Sequence, residues 1–364
     1  MKILVLTSRY TATRDIIGED FGRQTRLFEA LKKFRHDIEF FCSDYRKFEN
    51  KDVTLHGIRV FIRPFSLLYF FKFVRELNSA LKRKKYDLLI ATSDPIWGLF
   101  GYYYAKKYNI RFLYDLHDNY ETYMTYSIPF FSFLDKWVIK NADIVTTVSS
   151  SLKRKISKIR VQNVFVVENG VNIGLFNPKN KPQSRKKLRL PLDAKIIAYA
   201  GTLQKMQGIH LLIKAFEALK KDFDNLRLVL AGRVRQVRGE SLSLGKEGIV
   251  WLKELEQKGV AELINAADVA VVPSTTNEFT KYCFPYKVIE YMACNAKIVA
   301  TDVGDMSNLL PKSCICRPDS VNALAEKLRS KLNSKEKVNY RNIAKKYTWE
   351  NIAKKLDRVI RKEI

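Results

Sequence analysis

Residues 280–305 read TKYCFPYKVIEYMACNAKIVATDVGD. The run parses as a loop, a short helix, a tight loop, a buried strand over 297–301 and a turn at Asp302, Val303 and Gly304. Pro285 suits the first turn of the helix, where a missing N–H costs nothing. Lys287 and Glu290 are three apart and share one helix face. Val288, Ile289, Met292 and Ala293 fall on the side that packs inward. A helix start presents free N–H groups and the positive end of the peptide dipole, which favours phosphate. Lys287 adds a full positive charge there. Glu290, one turn further on, is placed to accept hydrogen bonds from two neighbouring hydroxyls. A cation for phosphate and a carboxylate for a diol together describe a nucleotide ribose with its diphosphate. The plain alternative is a helix–strand unit with a solvated lysine and glutamate.

Upstream of this run the same grammar repeats. Residues 195–200 read as a strand and lead into Gly201-Thr202-Leu203-Gln204-Lys205-Met206-Gln207-Gly208, with a helix from Ile209 to about 221. A strand, a glycine loop and a helix make an anion cradle. The strand at 226–231 ends in Gly232-Arg233, with Arg235 and Arg238 nearby. Arg233 is a further diphosphate candidate, because a guanidinium pairs with phosphate in a fixed fork. For Lys205 and Arg233 alike, plain surface solvation is the alternative. Short strands at 248–252 and 268–273, a helix at 260–266 and helices at 321–332 and 349–360 complete this half. The segment 178–191, basic and flanked by Pro178 and Pro191, reads as a hinge.

The first half opens on a buried parallel strand at 2–7, a loop at 8–20 containing Gly18, a helix at 21–34 and a strand at 37–42. The loop lacks G-x-G-x-x-G, which argues against a dinucleotide cofactor. Strands at 87–92, 110–114 and 143–148 follow. After the second of these comes Asp115-Leu116-His117-Asp118-Asn119-Tyr120-Glu121. Open α/β sheets place ligands at the carboxyl ends of strands. His117 and Asp118 are therefore candidates to bind or orient a substrate, against the plain reading of a loop histidine and a helix cap. The aromatics Tyr120, Tyr123, Tyr126, Phe130, Phe131, Phe133 and Trp137 line an acceptor groove, touch lipid or fill the core.

Composition narrows the function. The chain has 364 residues, 46% of them hydrophobic, which is enough for two ordinary domains. A net charge of +27 calls for a polyanionic partner: a membrane surface, nucleic acid or a phosphorylated substrate. In residues 64–85, Leu67, Leu68, Phe71, Val74, Leu77 and Leu81 recur at helical spacing, with Phe70 and Phe73 widening the apolar face. Lys72, Arg75 and residues 82–85 supply basic charge. That pattern predicts a helix lying in a lipid interface, or else one packed on the sheet with a solvated basic side. No apolar run approaches a membrane span, so the expected place is the cytoplasm, peripheral on the inner face of the membrane. The five scattered cysteines read as reduced thiols, and no residue cluster points to a metal.

In order along the chain, these motifs resemble family-4 glycosyltransferases of group 1 type. The usual donor signature there is Glu, seven residues, then Glu in E-A/Y-M-A-C/A-G-x-P-V-V-A. The second half is present as Glu290-Tyr291-Met292-Ala293-Cys294 through Ile298-Val299-Ala300-Thr301. Tyr282 stands in place of the first Glu, and Glu278 is four residues too early. Pro285, Lys287, Glu290, Tyr291, Met292 and Ala293 match the variant P-x-K-x-x-E-Y-M-A. The segment at 169–178 is similar to N-G-V-D-x-x-x-F-x-P, and Thr348-Trp349-Glu350 fits the start of the family's last helix.

The resemblance implies an α/β GT-B fold: two Rossmann-like, doubly wound domains facing an interdomain cleft. The first, acceptor-binding domain would occupy 1–170. The second, donor-binding domain would occupy 171–346, with helix 347–364 returning to the first. It implies transfer with retention from a nucleotide-sugar; the basic, aromatic stretch 64–85 makes a lipid-linked or membrane-surface glycan the expected acceptor, and no cofactor, metal or nucleic acid is expected. Glu290 would meet the ribose. Lys287, Lys205 and Arg233 would meet the phosphates through the Gly201–Thr202 loop. Tyr282 or backbone near Phe284 would replace the missing Glu, backbone at Leu252 would meet the base, His117 would face the sugar, and Gly18 would lie near the acceptor. Where members carry Arg and Lys in the glycine loop, this chain has Thr202 and Gln207. Other readings are a nucleotide-sugar epimerase or a non-catalytic basic protein binding membrane or nucleic acid.

Overall fold

The computed structural model describes residues 1–11, 14–20, 22–235 and 242–364. It divides into two compact units: residues 1–170 with 349–364, and residues 171–348.

Apolar runs that lack polar alternation belong in sheets buried on both faces. In strand Lys2–Ser8, Ile3, Leu4, Val5 and Leu6 are fully buried. The sheet of the first unit runs Val164–Val166, Ile144–Thr147, Arg111–Leu116, Leu88–Ala91, Lys2–Ser8, Asp37–Asp44, Ile58–Pro64, Lys51–Leu55. All neighbours are parallel except the last strand, which folds back antiparallel as an edge. Lys2–Ser8 and Leu88–Ala91 lie side by side although far apart in sequence. The chain order reverses between them, and such a switch point leaves a crevice at the strand ends. Helix Trp349–Glu363 packs on helix Arg23–Lys32 in this unit, where His36 Nε2 lies 2.7 Å from Asp357 Oδ1.

The second unit has a wholly parallel sheet in the order Ile249–Trp251, Leu226–Ala231, Lys195–Ala200, Val269–Val272, Ile298–Thr301, Ile315–Cys316. Its switch point lies between Lys195–Ala200 and Val269–Val272. Helices Ile209–Leu219 and Val321–Asn333 cover one face, and Phe216, Leu212, Leu324 and Leu328 are fully buried there. Helix Gln257–Ala266 covers the other with Leu263 and Ala266.

Several expectations are corrected. Residues 178–191 do not form a hinge. They contain helix Lys181–Lys187, which packs on Gln257–Ala266 in the second unit. Arg185 is buried there and bonds Asp268 at 2.8 Å, while Lys179, Ser184 and Lys187 all bond Glu262. Basic composition imitated a solvated linker because these cations have partners 75 or more residues away. The helix expected over 21–34 is Arg23–Lys32, capped by Gly22, and Phe21 lies outside the described residues. Helix Phe70–Arg83 turns Phe73, Leu77 and Leu81 into the core, so its apolar face is mostly a packing face. The strand expected over 297–301 is Ile298–Thr301. No helix among the described residues is long and apolar enough to cross a membrane.

Candidate active site

Helix Tyr286–Ala293 begins one residue later than its proline predicted. Pro285 is the N-cap residue, at φ −80° and ψ 100°, and supplies no side-chain cap. The first N–H groups of that helix are therefore left without a side-chain acceptor from it. Val288, Ile289, Met292 and Ala293 are buried, as the spacing predicts, which leaves Lys287 and Glu290 on the other face. Phe284, just before the helix, is buried against Tyr347, with ring centroids 5.6 Å apart. Tyr282 is half-buried in the turn where Asn277 Oδ1 accepts from the N–H groups of Phe279 and Thr280. Glu278 pairs with Lys281 at 3.0 Å on the surface.

The Lys287 side chain lies over the glycine loop. A Cβ on Gly201 would stand 2.3 Å from Lys287 Cε and 2.9 Å from Nζ. Its ammonium also sits 5.3 Å from the centre of the Tyr199 ring and 3.4 Å from Gln207 Oε1. Burial lowers its pKa, against the pull of Cys283 and Glu290. Burial pushes Glu290 up to about 7, and Lys287 opposes the rise. The Glu290 carboxylate has no hydrogen bond or ion pair among the described residues. A half-buried cation with one long hydrogen bond to a neutral group, and a carboxylate without a donor, both stand to gain from a ligand that supplies partners.

Two glycines make this loop possible. Gly201 and Gly232 end neighbouring strands at φ +143° and +142°. A Cβ on Gly232 would fall 1.9 Å from the Gly201 carbonyl oxygen. Gly208, at φ +77°, caps helix Ile209–Leu219 against the Pro273 carbonyl, 1.6 Å from where its Cβ would be. Sequence reading placed both glycines at strand ends but gave a site role to Gly201 and none to Gly232. Its signal was a glycine at a strand end beside another strand-end glycine, which only the pairing reveals. Thr202 is exposed, and its carbonyl accepts from the Tyr199 hydroxyl at 3.0 Å. Lys205 is exposed in a short 3-10 turn. Arg233 is held by Glu254 at 2.8 Å, a partner sequence reading missed. Leu252 continues the ladder, its N–H donating to the Leu230 carbonyl at 2.9 Å. Arg238 lies outside the described residues.

The first unit gathers a polar cluster at its own switch point. Asp115, next to last in strand Arg111–Leu116, receives both arms of Arg23, Nη2 at 2.9 Å and Nε at 3.1 Å. Thr92 and Thr146 donate to the same carboxylate at 3.0 Å and 2.7 Å. Arg23 holds Asp115 below its ordinary pKa despite burial. The guanidinium also reaches the Glu168 carbonyl at 2.7 Å, which ties the helix start to the end of the unit. His117 follows two residues on, with Nδ1 2.8 Å from the Tyr120 hydroxyl. That hydroxyl donates to the Asp115 carbonyl at 3.0 Å. His117 Nε2 is buried and has no hydrogen-bond partner among the described residues. Burial lowers His117 to about 4 and raises Asp118 to about 7. Gly18 is tied down by Asp15, whose Oδ1 accepts its N–H at 2.8 Å, and Arg9 holds Asp15 in turn. The glycine with the left-handed backbone in this region is Gly22, at φ +98°.

Two doubly wound α/β units in one chain, each with polar side chains at its switch point, form the architecture of GT-B glycosyltransferases. The family model described as "Glycosyl transferases group 1" matches residues 180–348, and "Glycosyltransferase Family 4" matches residues 25–175. A Bacillus subtilis protein named as a teichuronic acid biosynthesis glycosyltransferase, TuaC, is 29% identical over 361 residues, covering 90% of this chain and 88% of the relative. Sucrose-phosphate synthase from Thermosynechococcus elongatus superposes with a TM-score of 0.79 at 20% identity, covering 100% of this chain and 98% of that one. The Anabaena protein HepE in complex with UDP superposes with a TM-score of 0.78 at 18% identity, over 100% of both chains. The chain belongs to the group 1, family 4 glycosyltransferases.

Proposed function

We propose that the protein moves a sugar from a nucleotide-sugar to a hydroxyl of a lipid-linked or membrane-surface glycan, with retention of configuration. The second unit takes the donor. Glu290 accepts from the ribose hydroxyls, and Lys287 meets the diphosphate over Gly201 and Thr202. Lys205 and Arg233 add charge, and backbone near Leu252 meets the base. Tyr282 and backbone at Phe284 and Pro285 stand in for the missing first Glu. In the first unit His117 accepts from a sugar hydroxyl through Nε2, Asp118 orients it, and the loop of Gly18 lies toward the acceptor.

In the reaction the acceptor oxygen bonds the anomeric carbon as the bond from that carbon to the diphosphate breaks. The bonding pair leaves with the diphosphate, and the hydroxyl proton passes to a departing phosphate oxygen. The step needs charge neutralised on the leaving group more than it needs a strong base. That task falls to Lys287 and its neighbours rather than to a metal. The enzyme works peripherally on the inner face of the membrane.

The observation that carries this reading is the ammonium of Lys287 lying against Gly201, within one helical turn of an unpartnered Glu290. The likeness to HepE, solved with UDP and with UDP-glucose, makes uridine nucleotides the first to try. The test is a thermal-shift screen of UDP, GDP, ADP, CMP and their sugars. One nucleotide is expected to raise Tm in the wild type and not in Glu290→Ala. A screen in which none does, or a shift that persists in both Glu290→Ala and Lys287→Ala, overturns it.

A further inference from the structure

Helix Phe70–Arg83 hides most of its apolar face, but its leading end does not. Leu67 and Leu68, just before it, are 96% and 83% exposed, and Phe71 is 83% exposed. Helix Pro95–Tyr108 runs beside it in the same direction. Phe70 meets Phe100, the Tyr104 hydroxyl reaches the Val74 carbonyl, and Tyr108 bonds Asn78. Helix Phe131–Asn141 packs on Pro95–Tyr108 and is again parallel. Asp135 and Gly98 both meet Tyr114, and Trp137 meets Tyr102 four residues on from Gly98. Around the start of that third helix, Met124, Phe130 and Phe133 are 90%, 84% and 69% exposed. Thr125 donates to Asp94, the N-cap of Pro95–Tyr108, which brings this segment to the same end of the layer. Helices that connect parallel strands start at the carboxyl ends of those strands. Six bare apolar side chains thus stand at the end of the first unit that carries Asp115 and His117.

The unpaired charge on these three helices is one-signed. Lys72, Arg75, Lys136 and Lys140 are exposed and have no ion pair among the described residues. The three helices hold two carboxylates, and both are engaged: Glu76 pairs with Arg63, and buried Asp135 is bonded by Tyr114 and Tyr126. Exposed apolar side chains and unpaired cations on one helix layer match a headgroup boundary with anionic lipid. The apolar side chains come from two separate segments, 67–71 and 124–133, which suits a broad deformable surface better than a groove-bound peptide.

We propose that this end of the three-helix layer docks on an anionic bilayer. Leu67, Leu68, Phe71, Met124, Phe130 and Phe133 enter the headgroup–acyl boundary, and Lys72, Arg75 and Lys136, in the leading turns, meet lipid phosphates. This deepens the membrane-acceptor reading above and rests on it for its purpose. A bilayer at that edge delivers a lipid-borne hydroxyl to the end of the sheet where His117 lies.

The test is co-sedimentation of the full chain with vesicles of phosphatidylcholine alone and of phosphatidylcholine mixed with phosphatidylglycerol, at low and high salt, with oligomeric state followed by light scattering. Binding is expected to the mixed vesicles only, and to weaken with salt. The variant L68E/F71E/F130E is expected to lose at least about tenfold in partition. Replacing Lys72, Arg75 and Lys136 with Ala is expected to cost about a hundredfold, since each of the three cations near such a surface contributes about fivefold. Circular dichroism checks that the variants fold, because all of these side chains are exposed. Wild type that ignores mixed vesicles, or a triple variant that binds like wild type, overturns the proposal. So does a wild-type dimer that the triple variant converts to monomer, because a second copy then covers the patch. Vesicle binding needs no sugar donor, so the nucleotide screen fails or succeeds independently.

Discussion

Lys287 rests on Gly201: the lysine's Cε occupies the space where a side chain at the glycine would begin, 2.3 Å from the ideal Cβ position. The helix and the glycine loop, 86 positions apart in the chain by residue number, form one site only because that residue has no side chain. A cation held this way, with its pKa lowered by burial, is poised to gain from an anionic ligand.

Lys287→Met is expected to abolish the nucleotide-induced thermal shift, a loss of about 2–5 kcal/mol in binding. Stability without ligand should be unchanged or slightly higher, because a buried cation without a paired acid is removed. Urea denaturation and isothermal titration separate the two effects.

Gly232→Ala puts a methyl 1.9 Å from the Gly201 carbonyl oxygen at a backbone φ of +142°. We expect it to cost about 3 kcal/mol or to displace the loop. Urea denaturation measures the first outcome and loss of the nucleotide shift the second. Gly245→Ala, at a glycine with nothing within 4 Å, serves as the control.

Arg23→Ala leaves Asp115 buried without its counter-charge and should cost about 3–5 kcal/mol in urea unfolding. Arg23→Lys should recover little, because the pair is two-pronged and a single ammonium cannot fill both contacts.

Arg233 is gripped by Glu254 on the surface. Glu254→Ala should change stability by less than about 1 kcal/mol. If Arg233 meets the diphosphate, the same change removes a competing carboxylate and tightens nucleotide binding, whereas Arg233→Ala weakens it. Titration calorimetry on both variants reads the opposite signs.

Stability should depend on pH through the pair at the strand end. His117 stays neutral in the fold down to about 4, whereas the unfolded chain takes up its proton near 6.5. Between those values the unfolded state binds more protons, so this contribution grows as pH rises and is lost on acidification. Asp118 acts in the other direction. Folded, it keeps its proton up to about 7 against an ordinary 3.8, and its contribution falls as pH rises through that interval. His117→Gln should flatten the first trend and Asp118→Asn the second, in urea titrations followed across that range.

Much of this was legible in the chain because parallel strands announce themselves. Ile298–Thr301 and Lys2–Ser8 are largely apolar, and glycines follow strands Lys195–Ala200 and Leu226–Ala231. The spacing of Val288, Ile289, Met292 and Ala293 was enough to turn Lys287 and Glu290 to one face. The edge strand Lys51–Leu55 and its neighbour Ile58–Pro64 were missed because the first of them alternates weakly and lies on the surface.

Sequence by itself determined the two α/β units, the family and the residues with the right chemistry, since periodicity and motif are local properties. Tertiary structure alone decided which of those residues meet. It set Lys287 over Gly201, closed Gly232 on Gly201, and gave Asp115 to Arg23. It also drew the basic segment around Arg185 into a folded helix and left Leu67, Leu68 and Phe71 outside the core. Each is a contact between distant parts of the chain, where burial and charge pairing depend on what the fold brings within a few ångströms.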